Sequence, residues 1–277
     1  MDEGARLLPS YNRRDMRENR VKRMWEAGEA ALGGWLTVPS SFSAELMAHA
    51  GFDWLCVDLQ HGVIDYQVAV TMMQAISTTE TVPLVRVPWN EPGSIMKALD
   101  AGAYGVIVPI VNTAEEAKAA VSACRYPPRG IRSHGPIRAV LYGGRDYITR
   151  ADEEVLCIVQ VETEESVRNL DEILAVPGVD AAYIGPADLS LSLGLTAASD
   201  HDEPAFVEAV QQVLDACNRH NVAPGAHAGN VVTARKRLEQ GFLMVEMCDD
   251  AGSLARSAAA DLKAVRGSGK DGTRVSV

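Results

Sequence analysis

The sequence predicts an α/β protein built as a (β/α)8 TIM barrel. Three observations carry that expectation. Apolar runs rich in β-branched residues alternate with helix-patterned segments eight times between Ala31 and Val265. No repeat or linker interrupts them, so residues 1–277 read as a single barrel domain, with an N-terminal helical extension over 1–30 and a polar C-terminal tail over 267–277. Several runs also stop on a charged residue at the carboxyl end, the edge where parallel α/β proteins bind their ligands.

Taken in order, a polar, arginine-rich segment from Tyr11 to Arg23 leads into a helix that ends near Gly28. Ala31 to Val38 is the first strand, and Ser43 to His49 is its helix, closed by Gly51. Phe52 to Leu59 is the second. Its helix starts at Asp65, a natural N-cap, and buries Val68, Met72, Met73 and Ile76 on one stripe. Val82 to Val87 is the third, with a helix that starts after Asn90 and stops at Gly102. Ala103 to Val111 is the fourth, and Thr113-Ala114-Glu115-Glu116 is a capping box. The stretch from Tyr126 to Asp152 is irregular and holds five arginines, Arg129, Arg132, Arg138, Arg145 and Arg150. Loops of that length are functional or disordered. Val155 to Val161 and Ala181 to Ile184 are the fifth and sixth strands. Pro204 opens a helix that runs to Asn221, Val222 to Ala226 and Phe242 to Met247 complete the set, and Ala251 to Val265 is the last helix.

Composition narrows the function. Hydrophobic residues make up 47% and aromatics 5%, so the expected core is aliphatic. The net charge of -11 argues against nucleic acid and against an anionic membrane surface. No apolar run reaches the roughly 18 residues of a membrane span, and Met1-Asp2-Glu3-Gly4 opens no signal-peptide apolar stretch. Five scattered cysteines read as reduced core residues of a cytoplasmic protein.

The strand ends form a candidate site. The fifth run stops on Gln160-Val161-Glu162, and the sixth on Gly185-Pro186-Ala187-Asp188. Two carboxylates on neighbouring strands suit a hard divalent cation that keeps positions open for water and substrate. Read singly, Glu162 is a helix cap and Asp188 a turn residue. The second strand ends Asp58-Leu59-Gln60-His61-Gly62 and the third Val85-Arg86-Val87-Pro88, while His227 and Glu246 close the seventh and eighth. A guanidinium inside an apolar strand is costly without a partner, which marks Arg86. His61, His227 and Glu246 also fit ordinary hydrogen bonds and ion pairs.

At these residues the chain resembles the HpcH/HpaI aldolases, the metal-dependent (class II) pyruvate aldolases. The likeness rests on Asp58-Leu59-Gln60-His61-Gly62, Val85-Arg86-Val87-Pro88, Tyr126-Pro127-Pro128-Arg129-Gly130, Val161-Glu162 and Gly185-Pro186-Ala187-Asp188-Leu189-Ser190, in that order. The resemblance implies that Glu162 and Asp188 ligate Mg2+, Mn2+ or Co2+, and that Arg86 contacts the keto oxygen of pyruvate. It implies that His61 takes part in proton transfer with Asp58 nearby, and that the backbone of Gly185, Pro186, Ala187 and Asp188 holds the pyruvate carboxylate beside Gln160. Asp100 resembles the acid that pairs with the histidine. Many members carry glutamate immediately before the histidine, where this chain has Gln60, a departure that bears on substrate more than on reaction class.

The implied reaction is reversible cleavage of a 4-hydroxy-2-oxo acid to pyruvate and an aldehyde. A Schiff base is disfavoured, because Lys97, Lys118, Lys236 and Lys263 all fall in helices. Acyl-CoA lyases related to citrate lyase share the frame, but the compact length and the Asp-Leu-Gln-His-Gly stretch disfavour them. A barrel that binds a metabolite without catalysis is disfavoured by the intact set Arg86, His61, Glu162 and Asp188. The final helix carries Ala255, Ala258, Ala259 and Ala260, small residues suited to close packing. The resemblance implies exchange of that helix between paired subunits and a homo-hexamer built as a trimer of dimers. The arginine-rich segment would then lie near a neighbour's site.

Overall fold

Strands that are apolar on both faces must be covered on both faces, and closing a parallel sheet on itself achieves that. The computed structural model describes residues 15–267. The start of the expected N-terminal extension and the polar tail from residue 268 lie outside the described residues. Eight parallel strands close a barrel in chain order: β1 (Ala31–Leu36), β2 (Trp54–Asp58), β3 (Val82–Arg86), β4 (Gly105–Val108), β5 (Leu156–Val161), β6 (Ala181–Ile184), β7 (Ala223–His227) and β8 (Met244–Asp249). β8 returns to β1, with Ala31 opposite Met244.

Short helix α1 (Arg20–Glu26) precedes the barrel, and α2 (Ser41–His49), α3 (Tyr66–Ile76), α4 (Pro92–Asp100) and α5 (Ala114–Cys124) follow the first four strands. The local signals explain their ends. Asp65 accepts from the Val68 N–H at 2.8 Å, and Thr113 and Glu116 form the reciprocal capping box. α4 is capped by Glu91, one residue later than expected, because Pro92 is pre-set for the first helical position. Gly102 leaves that helix at φ 101°, a conformation that favours glycine.

The stretch from Tyr126 to Asp152 is not irregular throughout. It contains α6 (Ala139–Gly143) and most of α7 (Tyr147–Glu154), pieces too short to show a helical period. Three of its arginines are committed within the chain. Arg132 pairs with Asp100 at 2.8 Å, Arg138 donates to the Ala101 carbonyl at 2.6 Å, and Arg150 reaches Glu154 at 3.3 Å. The helices α8 (Glu164–Arg168), α9 (Leu170–Leu174), α10 (Pro186–Ser192), α11 (Pro204–His220), α12 (Val231–Gln240) and α13 (Asp250–Arg266) complete the order. α12 holds Lys236, as expected, and Asn230 caps it by accepting from Thr233 N–H at 2.9 Å. None of the described helices is long and apolar enough to cross a membrane. Four of the five cysteines are buried and all are free.

The core is largely aliphatic, as composition implies, but three aromatics meet inside the barrel. Trp54 on β2 and Trp35 on β1 meet Tyr183 on β6, their ring centroids 6.4 and 5.8 Å from it. Those strands lie across the barrel from one another, so the rings fill its interior. Glycines on other strands make the room. A Cβ at Gly33 would sit inside the Trp54 indole, and one at Gly225 would lie 2.8 Å from the Tyr183 ring. Trp54 is fully buried and satisfies its indole N–H on the Ala31 carbonyl at 3.1 Å. Replacing Gly33 with alanine is therefore expected to destabilise the fold by about 1–3 kcal/mol through overpacking. Urea unfolding would show it as a lower midpoint with an unchanged m-value, and an unchanged midpoint would refute this account.

Candidate active site

The site is anchored by a charge pair at the ends of β2 and β3. Asp58 and Arg86 are register partners. Arg86 Nε donates to Asp58 Oδ1 at 2.8 Å and Nη2 to Oδ2 at 2.5 Å, a bidentate fork. Trp35 Nε1 donates to Oδ2 at 3.1 Å, and the backbone N–H groups of Gln60 and His61 donate to Oδ1 at 3.0 and 3.3 Å. The guanidinium also lies over the Trp35 ring, 5.0 Å from its centroid. Burial raises the Asp58 carboxyl, but the bonds and charge of Arg86 outweigh it and hold the group below the ordinary carboxylate range. Asp58 thus stays ionised and fully bonded, and its link to His61 runs through the histidine backbone, not the ring.

A second pair of acids stands on the adjoining arc. Thr163, not Glu162, caps α8, accepting from Ser166 N–H at 3.0 Å, so the Glu162 carboxylate is free for the strand-end face. Glu162 Oε1 accepts from the Ile110 N–H at 2.7 Å, and Oε2 from Gln160 Nε2 at 2.5 Å. Ile110 adopts φ 50°, an unfavourable conformation for a β-branched residue, and in doing so aims its N–H at Glu162. Burial pushes the Glu162 carboxyl up to about 7; the Ile110 N–H opposes the rise and the charge of Asp188 adds to it. The expected turn at Gly185 to Asp188 is instead the start of α10, where Pro186 occupies the first position and Asp188 the first turn. Gly185 is required there, since a Cβ would collide with Glu162 Oε2 and Gln160 Nε2.

These groups face one cavity of about 380 Å³. His61, Arg86, Gln160 and the whole run Gly185, Pro186, Ala187 and Asp188 line it. Asp58 and Glu162 stand behind, bonded to Arg86 and Gln160. Trp35 and Tyr183 also line it, and the sequence reading did not select them. Asp100 lies elsewhere. It ends α4, pairs with Arg132 and borders a separate cavity with Tyr66 and Lys97, so within one chain no hydrogen bond joins it to His61. A larger cavity, about 500 Å³, opens beside Lys22 and Asp180 near the strands' amino ends, away from all these groups.

The third arc, β7 and β8, carries His227 and Glu246. Tyr183 Oη lies 3.3 Å from His227 Nδ1, and Glu246 Oε2 lies 3.6 Å from Nε2, beyond hydrogen-bond length. Glu246 is fully buried. Its Oε2 accepts from the Gly229 N–H at 2.8 Å, while Oε1 has no partner among the described residues. Burial pushes the His227 imidazole down to about 4 and the Glu246 carboxyl up to about 7.

The donor set fits a hard cation. Among the described residues no cluster of three or more His, Cys, Asp or Glu offers a closed ligand cage. Two carboxylates with open positions are what Mg2+ takes when substrate and water supply the rest. Among the described residues the Gln160 amide oxygen, buried beside them, has no hydrogen-bond partner.

A family model described as HpcH/HpaI aldolase/citrate lyase matches residues 32–257. The chain is similar to a hydroxypyruvate/pyruvate aldolase of Rhizorhabdus wittichii, 40% identical over 250 residues that cover 89% of this chain and 100% of that protein. It is also similar to a 4-hydroxy-2-oxo-heptane-1,7-dioate aldolase of Escherichia coli, 41% identical over 248 residues that cover 88% of this chain and 93% of the other. Among solved structures, an HpcH/HpaI aldolase/citrate lyase family protein from Burkholderia cenocepacia superposes with a TM-score of 0.84 at 37% identity, over 90% of this chain and 100% of that one.

Asp58→Ala would strand Arg86 without its counter-charge, at an expected cost of about 3–5 kcal/mol. Because the folded-state pKa of Asp58 is depressed, its contribution is fully present above the ordinary carboxylate range and is lost as pH falls from there through the lower folded-state value. Chemical denaturation of both proteins should therefore show a gap at pH 7 that narrows below about pH 4. A gap independent of pH would contradict the charge-pair account.

Proposed function

The chain belongs to the HpcH/HpaI aldolase/citrate lyase family, and we propose that it is a divalent-metal-dependent aldolase. It reversibly cleaves a 4-hydroxy-2-oxo acid to pyruvate, or a close analogue, and an aldehyde. The observation that carries this reading is that β5 and β6 are paired, so that Asp188 lines the same cavity as the anchored Arg86 and Glu162 stands directly behind it, bonded to the cavity residue Gln160.

In this reading Glu162 and Asp188 hold Mg2+, Mn2+ or Co2+. Bound there, such an ion supplies Lewis acidity toward the keto oxygen of the oxo acid. Arg86 spends Nε and Nη2 on Asp58, which leaves Nη1 as a fixed donor to that same oxygen as enolate charge develops on it. The N–H groups of Ala187 and Asp188, in the first turn of α10, receive the substrate carboxylate; Pro186 has none to offer, and Leu189 N–H is already committed to Gly185 O at 3.0 Å. Gln160 fixes the Glu162 carboxylate and gives its free amide oxygen to the pocket. His61, on the cavity wall, moves the proton at the C4 hydroxyl.

The assembly completes the site. α13 is exposed along its length, with Leu254 and Val265 at 70% and 86%. A helix whose apolar residues find no cover in its own chain is suited to exchange with a paired subunit, and we take three such pairs to form a hexamer. Asp100 then meets His61 across a boundary between copies, because the pairing that the resemblance implies has no counterpart within one chain.

Two measurements test the reading. Pyruvate release from a panel of 4-hydroxy-2-oxo acids should require added divalent metal. Glu162→Gln or Asp188→Asn should abolish it, since a neutral amide is a poor ligand for a hard cation; full activity of either variant in chelated buffer would overturn it. Light scattering should give a hexamer of the 29.7 kDa chain, and truncation before Gly252 should yield smaller, less stable species. A fully active monomer would rule out the shared site.

A further inference from the structure

Glu162, Gln160 and the start of α10 stand on β5 and β6, and Asp58 and Arg86 on β2 and β3. β7 and β8 have no part in that chemistry, yet they place His227 at the cavity with Glu246 behind it. We infer that His227 selects the aldehyde partner and favours a short, uncharged aldehyde that carries a hydroxyl group. The inference rests on the aldolase reading above and goes beyond it by naming the class of acceptor.

The imidazole is fixed on three sides. The edge of Trp35 packs against it with ring centroids 5.1 Å apart, Tyr183 Oη reaches Nδ1, and Glu246 stands behind Nε2. Its remaining surface, 32% of the side chain, is open. Tyr183 Oη engages Nδ1, which leaves Nε2, beyond hydrogen-bond reach of Glu246, for the substrate; a hydroxyl group can donate to it or accept from it, so the two match in either tautomer. Burial keeps this imidazole neutral at physiological pH. Ser199, from the loop after α10, comes up against Gly229 and adds a second hydroxyl to the same wall.

Charge excludes the other candidates. Among the residues that line the cavity, Arg86 is the one permanent cation, and its charge is committed to Asp58. An aldehyde with a distal carboxylate would lose its hydration on the His227 wall, with Glu246 behind it, where this chain sets no cationic side chain to replace it. An alkyl aldehyde would leave Nε2 of the imidazole unpaired, the circumstance in which a polar site rejects an apolar analogue most strongly. Glu246 acts through His227 as a positioning residue; it does not itself line the cavity.

The test uses the full chain with saturating Mg2+ and compares kcat/KM for aldol addition of pyruvate to glycolaldehyde, propanal and 4-oxobutanoate. Glycolaldehyde should exceed propanal by about tenfold or more, and it should also exceed 4-oxobutanoate. His227→Leu should bring the glycolaldehyde-to-propanal ratio to within about twofold of unity, chiefly through the KM for glycolaldehyde, whereas His227→Gln, which retains a donor and an acceptor, should keep most of the preference. A wild-type ratio near unity, a preference for 4-oxobutanoate, or a ratio unmoved by His227→Leu would overturn the assignment. Deuterium exchange into the pyruvate methyl group by the wild-type enzyme reports the enolate step alone. Exchange together with any of those three results sinks the role of His227, and absence of exchange sinks the aldolase reading beneath it.

Discussion

The fork between Arg86 and Asp58 is the constraint on which the rest of the site depends. A guanidinium at the end of an apolar strand is tolerable only beside a carboxylate, and that carboxylate only with its remaining lone pairs filled. Trp35 and the backbone of Gln60 and His61 fill them. One requirement therefore fixes the ends of β1, β2 and β3 and the entry to the loop that carries His61. The guanidinium that results is rigid, which is what stabilising a developing charge demands, since a donor that must first reorganise loses much of its effect.

The barrel interior sets the depth of that arrangement. Side chains of this size cannot all point inward around a narrow barrel, and the chain resolves the conflict by placing Gly33 and Gly225 opposite Trp54 and Tyr183. The stacked rings form a solid floor. Above it stand Arg86, His227 and the acids, so the polar groups gather at one end of an otherwise apolar cylinder. Low dielectric follows from that floor, and with it the raised carboxyls of Glu162 and Glu246.

Much of this was legible in the sequence. Eight apolar runs, several of them ending on a charge, specify a barrel with its site at one end, and Asp65, Thr113 and Gly102 marked helix boundaries through local bonds that need no knowledge of the fold. Residues whose part depends on distant neighbours were harder to read. Trp35 and Tyr183 stand in ordinary strand runs, and their place at the cavity follows from strands that meet only across the closed barrel. Ile110 carried no signal either, because its backbone angle is imposed by the strand it follows and the acid it serves. Asp58 looked like a partner of His61 in the chain, whereas the register between β2 and β3 gives it to Arg86. α6 and α7 were hidden by their brevity. Within one chain Asp100 pairs with Arg132, a contact set by the loop that the sequence left without a pattern.

Each buried acid of the cavity leans on a main-chain N–H: Glu162 on Ile110, Asp58 on Gln60 and His61, and Glu246 on Gly229. A side-chain donor disappears with a single base change, but a backbone donor survives every substitution at its own position except proline. The supports of this site are thus written into the path of the chain rather than into residue identities. What constrains positions 110 and 229 is therefore the positive φ each must hold to aim its N–H, not the side chain it carries, so the acids keep their support for as long as the chain keeps its course there.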